Sequence, residues 1–281
     1  MENQEKSCSY QELLAEGGRV LQNAGILDSD VDSFLLLEYI TGMNRAQFFL
    51  RAKEPVSPEE AKCYRELLAR RAKHIPLQHI TGEQEFMGFS FYVNKYVLVP
   101  RQDTECLVEL ALAYVPGKRI LDLCTGSGCI AISLMLLGKP AFCCGTDISR
   151  DALEIARRNA RRNQAEVSFL ESDLFENVEG TYDIIVSNPP YIPPDVISGL
   201  SEEVRVHEPR LALDGGEDGL LFYRRITKES VMHLSGDGML FYEIGCEQAM
   251  DVMAIMEEAG FHDVVCRKDY ADNDRIVFGR L

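Results

Sequence analysis

The residues best suited to chemistry stand together in Tyr182-Asp-Ile-Ile-Val-Ser-Asn-Pro-Pro-Tyr191. Asn188 carries a side-chain carbonyl, and Pro189 and Pro190 fix φ and have no N–H, so the backbone here offers acceptors only. With the Asn188 amide oxygen and the Pro189 carbonyl converging, the guest that suits this cluster is a planar –NH2 group, and Tyr191 supplies an aromatic wall beside it. Just upstream, Ile184, Ile185 and Val186 form an apolar run without a polar residue, which reads as a strand covered on both faces, as in a parallel sheet. Ligands of open α/β sheets collect outside the carboxyl ends of strands, where Asn188 falls. The same residues also fit a proline-rich turn with Asn as a turn former. Other motifs have to decide.

A second stretch, Leu121-Asp-Leu-Cys-Thr-Gly-Ser-Gly-Cys-Ile-Ala131, joins an apolar strand to an apolar helix. Gly126 and Gly128 let the backbone turn tightly and approach a ligand at the positive end of that helix. Gly126-x-Gly128-x-x-Ala131 satisfies a loose dinucleotide pattern, so the loop by itself does not separate NAD from S-adenosylmethionine. Asp147, which closes the next strand about 20 residues on, is placed to accept both hydroxyls of a ribose. Asp173, after the third strand, can accept from an adenine amino group, with Leu174 and Phe175 packing near the ring. Arg101, after an aromatic hairpin, is a candidate for the substrate side of the cleft.

Several other chemistries are excluded by spacing. Gly138-Lys139 is followed by Pro140 and lacks the upstream glycine of a phosphate-binding loop. The five histidines include no i, i+4 ligand pair. Nine cysteines, an odd number with no C-x-x-C pair, fit reduced thiols in a cytosolic protein rather than a disulfide or zinc framework.

The elements that must position these groups change type along the chain. Residues 1–75 read as a small helical bundle: Ser9 with Glu12 and Ser57 with Glu60 are capping boxes, and Gly42 closes a second helix. Its expected use is holding a partner or covering the active site. Residues 76–100 contain Phe86 to Val99, aromatic and β-branched with turn residues at Gly88 and Asn94, and are expected to form a β-hairpin linker. From 101 to 281 strands and helices alternate. A helix capped by Asp103 or Thr104 leads into strands at 119–124, 141–146, 167–170 and 182–187. After a long loop come a helix at 219–234, a strand at 239–244, and two closing strands. This is an open, doubly wound α/β sheet.

Composition bounds the partners. Lys and Arg number 29 against 45 Asp and Glu, a net charge of −16, which disfavours any broad footprint on phosphates. Nucleic acid is therefore not an expected direct partner. The first residues show neither a basic flank with an apolar run nor an Arg-rich amphipathic pattern, and no membrane-spanning stretch stands out. A cytoplasmic monomer is expected.

Taken together, the glycine loop, Asp147, Asp173 and Asn188-Pro-Pro-Tyr191 resemble the ordered motifs of class I S-adenosylmethionine-dependent methyltransferases that methylate a planar nitrogen, adenine N6 or glutamine N5. Longer segments sharpen this. Pro76-Leu-Gln-His-Ile-Thr-Gly82, Phe86-x-Gly88, Val99-Pro-Arg101 with Asp103-Thr-Glu105, Glu203-Val-Arg205, Glu208 to Gly216 and Asp218-Gly-Leu220 are similar to the release-factor glutamine methyltransferase family, PrmC/HemK. The resemblance implies a Rossmann-like methyltransferase sheet. It implies methyl transfer from S-adenosyl-L-methionine to the amide nitrogen of the Gln in the Gly-Gly-Gln motif of peptide chain release factors. It also implies that Cys124, Thr125, Gly126, Ser127, Gly128, Asp147, Asp173, Leu174 and Asn188 hold the cofactor. It implies as well that Asn188, Pro189, Pro190 and Tyr191 take the substrate, with Asn188, Pro189 and Tyr191 nearest the chemistry, and Arg101 is the further candidate on that side. Cys124 stands where that family usually has Gly, Gln102-Asp103 where Pro-Glu is common, and Leu174 where an aromatic residue is frequent. Two rival readings remain: a DNA adenine-N6 methyltransferase, for which the chain lacks a basic recognition region, and an S-adenosylmethionine-binding adaptor without activity. An NAD-dependent oxidoreductase lacks a His or a Tyr-Lys pair beside the first loop.

Overall fold

A computed structural model describes residues 8–281; the first seven residues, over which no leader segment is expected, lie outside the described residues. The chain divides into two compact units. One runs to Gly82 and takes in Glu202–His207, and the other comprises Glu83–Ser201 and Glu208–Leu281. The boundary therefore falls at 82 rather than 75, and residues 76–100 are shared between the units rather than forming a separate linker.

The first unit contains α1 (Tyr10–Asn23), α2 (Ser29–Thr41), α3 (Arg45–Arg51), α4 (Pro58–Arg71) and α5 (Leu77–Thr81). Ser9, Asn44 and Ser57 each close a capping box with Glu12, Gln47 and Glu60, and Gly42 ends α2 in the left-handed conformation. Apolar faces of these helices, including Leu13, Leu21, Leu36, Leu37, Tyr64 and Leu68, share one core. Gly17 is required by that packing, because a Cβ there would lie 2.1 Å from the Tyr64 hydroxyl oxygen. The Tyr64 hydroxyl instead reaches the Ser33 carbonyl at 2.9 Å. Arg71 is buried and donates to Asp32 at 2.6 Å, to the Ile75 carbonyl at 3.0 Å and to Glu203 at 2.8 Å. The last bond ties the short helix Glu202–His207 into this unit.

The second unit is built on a seven-stranded sheet. After the hairpin β1 (Glu83–Phe86) and β2 (Phe89–Tyr92) come α6 (Gln102–Ala111), β3 (Arg119–Leu123), α7 (Cys129–Gly138), β4 (Phe142–Asp147), α8 (Arg150–Arg162), β5 (Ser168–Glu171) and β6 (Tyr182–Ser187). The short helices α9 (Pro194–Ile197) and α10 (Glu202–His207) follow, the latter counted with the first unit. Then come α11 (Leu221–His233), β7 (Leu234–Glu243), α12 (Ala249–Glu258), β8 (His262–Lys268) and β9 (Asp274–Arg280). The order is β5-β4-β3-β6-β7-β9-β8, with parallel pairing from β5 to β7 and antiparallel pairing of β9 with β7 and β8. Alternate residues of each central strand go to opposite faces. Ile120, Ile184, Val186 and Phe241 pack with α6 and α7, whereas Leu121, Leu123, Ile185 and Tyr242 pack with α11 and α12. This confirms the doubly wound α/β sheet. The chain steps outward from β3 to β5, then returns to lay β6 on the other side of β3. The carboxyl ends of β3 and β6 thus flank a topological switch point, where such sheets bind ligands.

Local differences from the sequence expectations have physical causes. The hairpin is shorter than expected, because Met87 and Gly88 both take positive φ, 51° and 77°, and close it in two residues. Asn94 makes a side-chain turn to the Tyr96 N–H at 3.0 Å after the second strand has ended. The helix expected to be capped by Asp103 or Thr104 starts at Gln102 without a side-chain cap. β7 begins at Leu234, since Leu234 pairs with Tyr182 across an irregularity before the regular ladder resumes. Among the described residues no helix is long and apolar enough to cross a membrane.

Candidate active site

The loop from β3 to α7 is held from beneath by a carboxylate. Asp122 is fully buried within β3, and its Oδ2 accepts from the Thr125 hydroxyl at 2.6 Å and the Ala131 N–H at 3.2 Å. Its Oδ1 is buried without a hydrogen-bond partner, and burial pushes the carboxyl up to about 7 against those two bonds. The Thr125 N–H binds the Thr146 carbonyl at 2.9 Å, which fastens the loop to β4. Cys124, Gly126 and Gly128 take φ values of 60°, 53° and 80°. That explains glycine at two of the positions, and Cys124 accepts a strain of roughly 1–2 kcal/mol that glycine would avoid. A Cβ at Gly128 would come within 3.1 Å of both Ala156 and Ile132.

Asp147, at the end of β4, receives the Gly126 N–H on Oδ2 and the Ser149 N–H on Oδ1, both at 2.9 Å. It therefore welds the glycine loop to the start of α8 and keeps lone pairs for further donors. Burial raises its carboxyl pKa, and these backbone N–H groups oppose the shift. Asp173 accepts from Arg225 of α11 at 3.0 Å through Oδ1. Leu174, next to it, is buried at φ 50°. Phe175, expected near an adenine ring, is instead in the core, stacked on His233 at 4.7 Å.

The tetrapeptide after β6 is braced on its far side by glycines. The Ile192 N–H binds the Leu213 carbonyl and the Gly215 N–H the Ile192 carbonyl, each at 2.9 Å. A Cβ at Gly215 would lie 2.6 Å from the Tyr191 Cα, and one at Gly219 2.4 Å from the Tyr191 carbonyl oxygen. The Gln248 amide closes the brace by donating to the carbonyls of Tyr191 and Gly219 at 3.1 and 3.2 Å. Asn188 Nδ2 lies 3.3 Å from Thr104 Oγ1 on α6, and both side chains stand close enough to Glu243 to favour its ionised form. Glu243 is buried, and desolvation pushes its carboxyl up to about 7 in spite of these donors and of Arg275.

One cleft in the second unit collects these groups. Of the residues singled out from sequence, Arg101, Cys124, Thr125, Gly126, Ser127, Asp147, Asp173, Leu174, Asn188 and Pro190 line it. Gly128 sits behind the loop as the N-cap of α7, and Pro189 is buried. Tyr191 packs against the core on the α11 and α12 face rather than standing as a wall of the cleft. Arg101 donates to the buried Glu208 at 2.5 Å, so its charge is matched. Sequence reasoning missed the cleft residues Leu98, Thr104, Ile148, Phe222 and Arg225. Thr104 falls within Asp103-Thr-Glu105, where it reads as a helix cap, and the other four come from segments with no motif of their own. Glu243 did leave a signal, a lone acid at the end of the apolar run Met239-Leu-Phe-Tyr-Glu-Ile244.

Comparison with known proteins matches two family models: the PrmC N-terminal domain over residues 12–82 and the methyltransferase small domain over residues 102–207. The release factor glutamine methyltransferase of Geobacter sulfurreducens is 42% identical over 93% of both chains. That of Agrobacterium fabrum is 41% identical over 95% of both. The chain belongs to the release factor glutamine methyltransferase family. Among solved structures, a methyltransferase from Pyrococcus furiosus, 19% identical, superposes with a TM-score of 0.55 over 75% of this chain and 98% of that one. A 16S rRNA N2 G1207 methyltransferase from T. thermophilus, in complex with AdoMet and guanosine, gives 0.53 at 18% identity over 70% and 49%. These two likenesses show the fold. The first model covers the helical unit from residue 12, and the second covers the sheet unit from α6 to β6, with α11 to β9 beyond it.

Proposed function

We infer that this chain transfers a methyl group from S-adenosyl-L-methionine to the side-chain amide nitrogen of a glutamine in a peptide chain release factor, the Gln of its Gly-Gly-Gln motif. The observation that carries the reading is that Thr125–Ser127, Asp147, Asp173 and Asn188 line one cleft. A cofactor loop and an amide-binding group therefore meet.

The residues fit the cofactor. The glycine loop leaves space beside Gly126, where an added Cβ would meet only the Cys124 carbonyl, at 4.0 Å. Asp147 and Asp173 are acceptors for hydroxyl and amino groups, and Leu98, Ile148, Leu174 and Phe222 supply apolar surface for a flat ring. Both cleft arginines, Arg101 and Arg225, are engaged by carboxylates, so a cationic ligand meets no free guanidinium there. When bound, S-adenosyl-L-methionine supplies an electrophilic methyl on a sulfonium.

What the chain must add is control of a poor nucleophile. An amide nitrogen has its lone pair delocalised into the carbonyl, so rate comes from orientation and from acceptors that favour positive charge developing on nitrogen. Asn188 Oδ1, with the Pro189 carbonyl, accepts the two amide hydrogens and holds the nitrogen in line. Pro189 and Pro190, lacking N–H groups, put no competing donor beside them. The brace of Gly215, Gly219 and Gln248 keeps this acceptor pair rigid. No general base is needed before transfer, since the nitrogen becomes acidic only as its new bond forms, and the proton then leaves to solvent. The helical unit, too small for chemistry of its own, is the part we assign to holding the release factor.

Mass spectrometry of a purified release factor incubated with this protein and S-adenosyl-L-methionine tests the reading. One added methyl on the Gly-Gly-Gln peptide, absent with Asn188→Ala, is the expected result. Cofactor binding without methylation of that Gln would overturn it.

A further inference from the structure

Glu243 is a buried carboxylate to which the acceptor role of Asn188 gives no task. Ser187 of β6 pairs with Tyr242 of β7, so Asn188 and Glu243 are the next residues outward on adjacent parallel strands. The Glu243 side chain is closed off from solvent and its Oε2 has no hydrogen-bond partner, while the Thr104 hydroxyl, Arg275 and the Asn188 amide nearby favour its ionised form. Packing by itself does not call for a charge at this position, since an amide of the same shape would fill the space.

The charge matters for the direction in which the Asn188 amide points. An amide has a donor end and an acceptor end of nearly equal size, and its partners decide which faces where. The Thr104 hydroxyl can donate or accept, so Thr104 alone permits either orientation. An ionised carboxylate only accepts. It admits Nδ2 and rejects Oδ1, in agreement with Nδ2 lying 3.3 Å from Thr104 Oγ1. We propose that Glu243 is the positioning residue of the methyl-acceptor site: its ionised carboxylate, directly and through the Thr104 hydroxyl, fixes the Asn188 amide so that Oδ1 faces the substrate –NH2. This rests on the acceptor role of Asn188 proposed above.

A protonated Glu243 gains a donor and can satisfy Oδ1 instead. The flipped amide then turns its own –NH2 toward the substrate –NH2, two donors face each other, and the nitrogen is no longer held. Activity is therefore present above the pKa of Glu243 and lost as pH falls through it. The groups around this carboxylate are Asp103 and Thr104 from α6, Arg275 from β9, Tyr191, Tyr223 from α11 and Cys129 from α7. Arg275 favours ionisation and Asp103 opposes it. The tyrosines are pushed further above their ordinary range by burial, and Cys129 up to about 12, so none of these three titrates near neutrality. Burial sets the Glu243 carboxyl at about 7.

The test uses the full chain, a purified release factor and S-adenosyl-L-methionine. It compares wild type with Glu243→Gln from pH 5.5 to 9, with cofactor affinity from calorimetry. We expect an acid limb near neutrality in the wild-type kcat/KM, which reports the free enzyme. Glu243→Gln can turn its own –NH2 toward Asn188, so its kcat should fall by about 10²-fold, on the scale of losing a preorganised polar contact. Its cofactor Kd should stay within about twofold, and its acid limb should vanish, the split expected of an interaction made mainly in the transition state. A merely structural role would not remove the limb. Wild-type kcat and an unchanged limb in Glu243→Gln overturn the proposal while leaving the methyltransferase reading intact. Failure of the wild type to methylate the glutamine refutes that reading and the proposal together. Should Glu243→Gln not bind cofactor, Thr104→Val decides, since it removes the hydroxyl link in the same shape. A kcat drop of about tenfold, or 1.4 kcal/mol, with cofactor binding retained supports the proposal, and a wild-type kcat overturns it.

Discussion

Replacing Asn188 by alanine removes both ends of the amide at once, and the structure separates the consequences. On the cleft side the substrate nitrogen loses a preorganised acceptor; removing one such group from a water-excluded site costs about 2.7–4 kcal/mol, or 10²–10³ in kcat. On the inner side Thr104 and Glu243 lose the Nδ2 donor. A buried acceptor left without its donor costs about 1–3 kcal/mol. With its carboxyl already at about 7, Glu243 can take up a proton instead, which puts the stability loss at the lower end. A loss of about 1 kcal/mol lowers the melting temperature by roughly 2–4 °C in a protein of this size. Cofactor affinity should change little, because the glycine loop, Asp147 and Asp173 line the cleft independently of this side chain. Single-turnover methylation of a release factor, read as the mass of the Gly-Gly-Gln peptide against time, gives the rate, and calorimetry gives the cofactor Kd. A rate within about tenfold of wild type, roughly 1.4 kcal/mol, would refute the acceptor argument. A cofactor Kd that rises as far as the rate falls would move Asn188 to the cofactor's binding groups.

Three further outcomes follow from the geometry. In Asp147→Asn only one of the two backbone donors, Gly126 N–H and Ser149 N–H, keeps a good acceptor. A cost of about 1–3 kcal/mol should raise the cofactor Kd by roughly 10- to 100-fold while kcat at saturation moves little, and an unchanged Kd by calorimetry contradicts the loop-welding role. Asp122 is raised to about 7 by burial, so between about pH 4 and 7 the folded chain holds a proton that the unfolded chain releases. Stability therefore falls as pH rises through that window, by up to about 1.4 kcal/mol per pH unit. Asp122→Asn should flatten this, and equal pH 5 to pH 7 differences in urea unfolding for variant and wild type would show the assignment to be wrong. Arg71→Met strands Asp32 and Glu203, whose contacts with the guanidinium are 2.6 and 2.8 Å. Breaking a buried pair costs about 3–5 kcal/mol, reduced here because Glu203 is partly exposed, and amide exchange in α1 to α5 should accelerate; exchange at the wild-type rate refutes it.

Much of the site could be read in advance because its parts are local. The positive φ of Gly126 and Gly128 follows from a strand that must turn at once into a helix. Asn188 stands at the end of an apolar run, which places it at the mouth of a parallel sheet. Likewise Ser9 and Ser57 cap their helices through residues three positions away. The setting of Tyr191 is not legible locally because its neighbours are distant in the chain: Gly215, Gly219 and Gln248 hold its backbone, and its ring packs against the core. The same holds for Phe175, whose stacking partner His233 lies on another element.

The sequence by itself determined the types of element, their order, the glycine loop and the acceptor tetrapeptide, since each depends on residues a few positions apart. Only the tertiary structure decided which groups share the cleft and what charge surrounds them. It set Arg225 against Asp173 and Arg101 against Glu208, and it brought Thr104 and Glu243 under Asn188 from two different elements. The orientation of an amide and the pKa of a buried carboxyl depend on solvent exclusion and on partners from several elements, and both arise only when the sheet has closed around them.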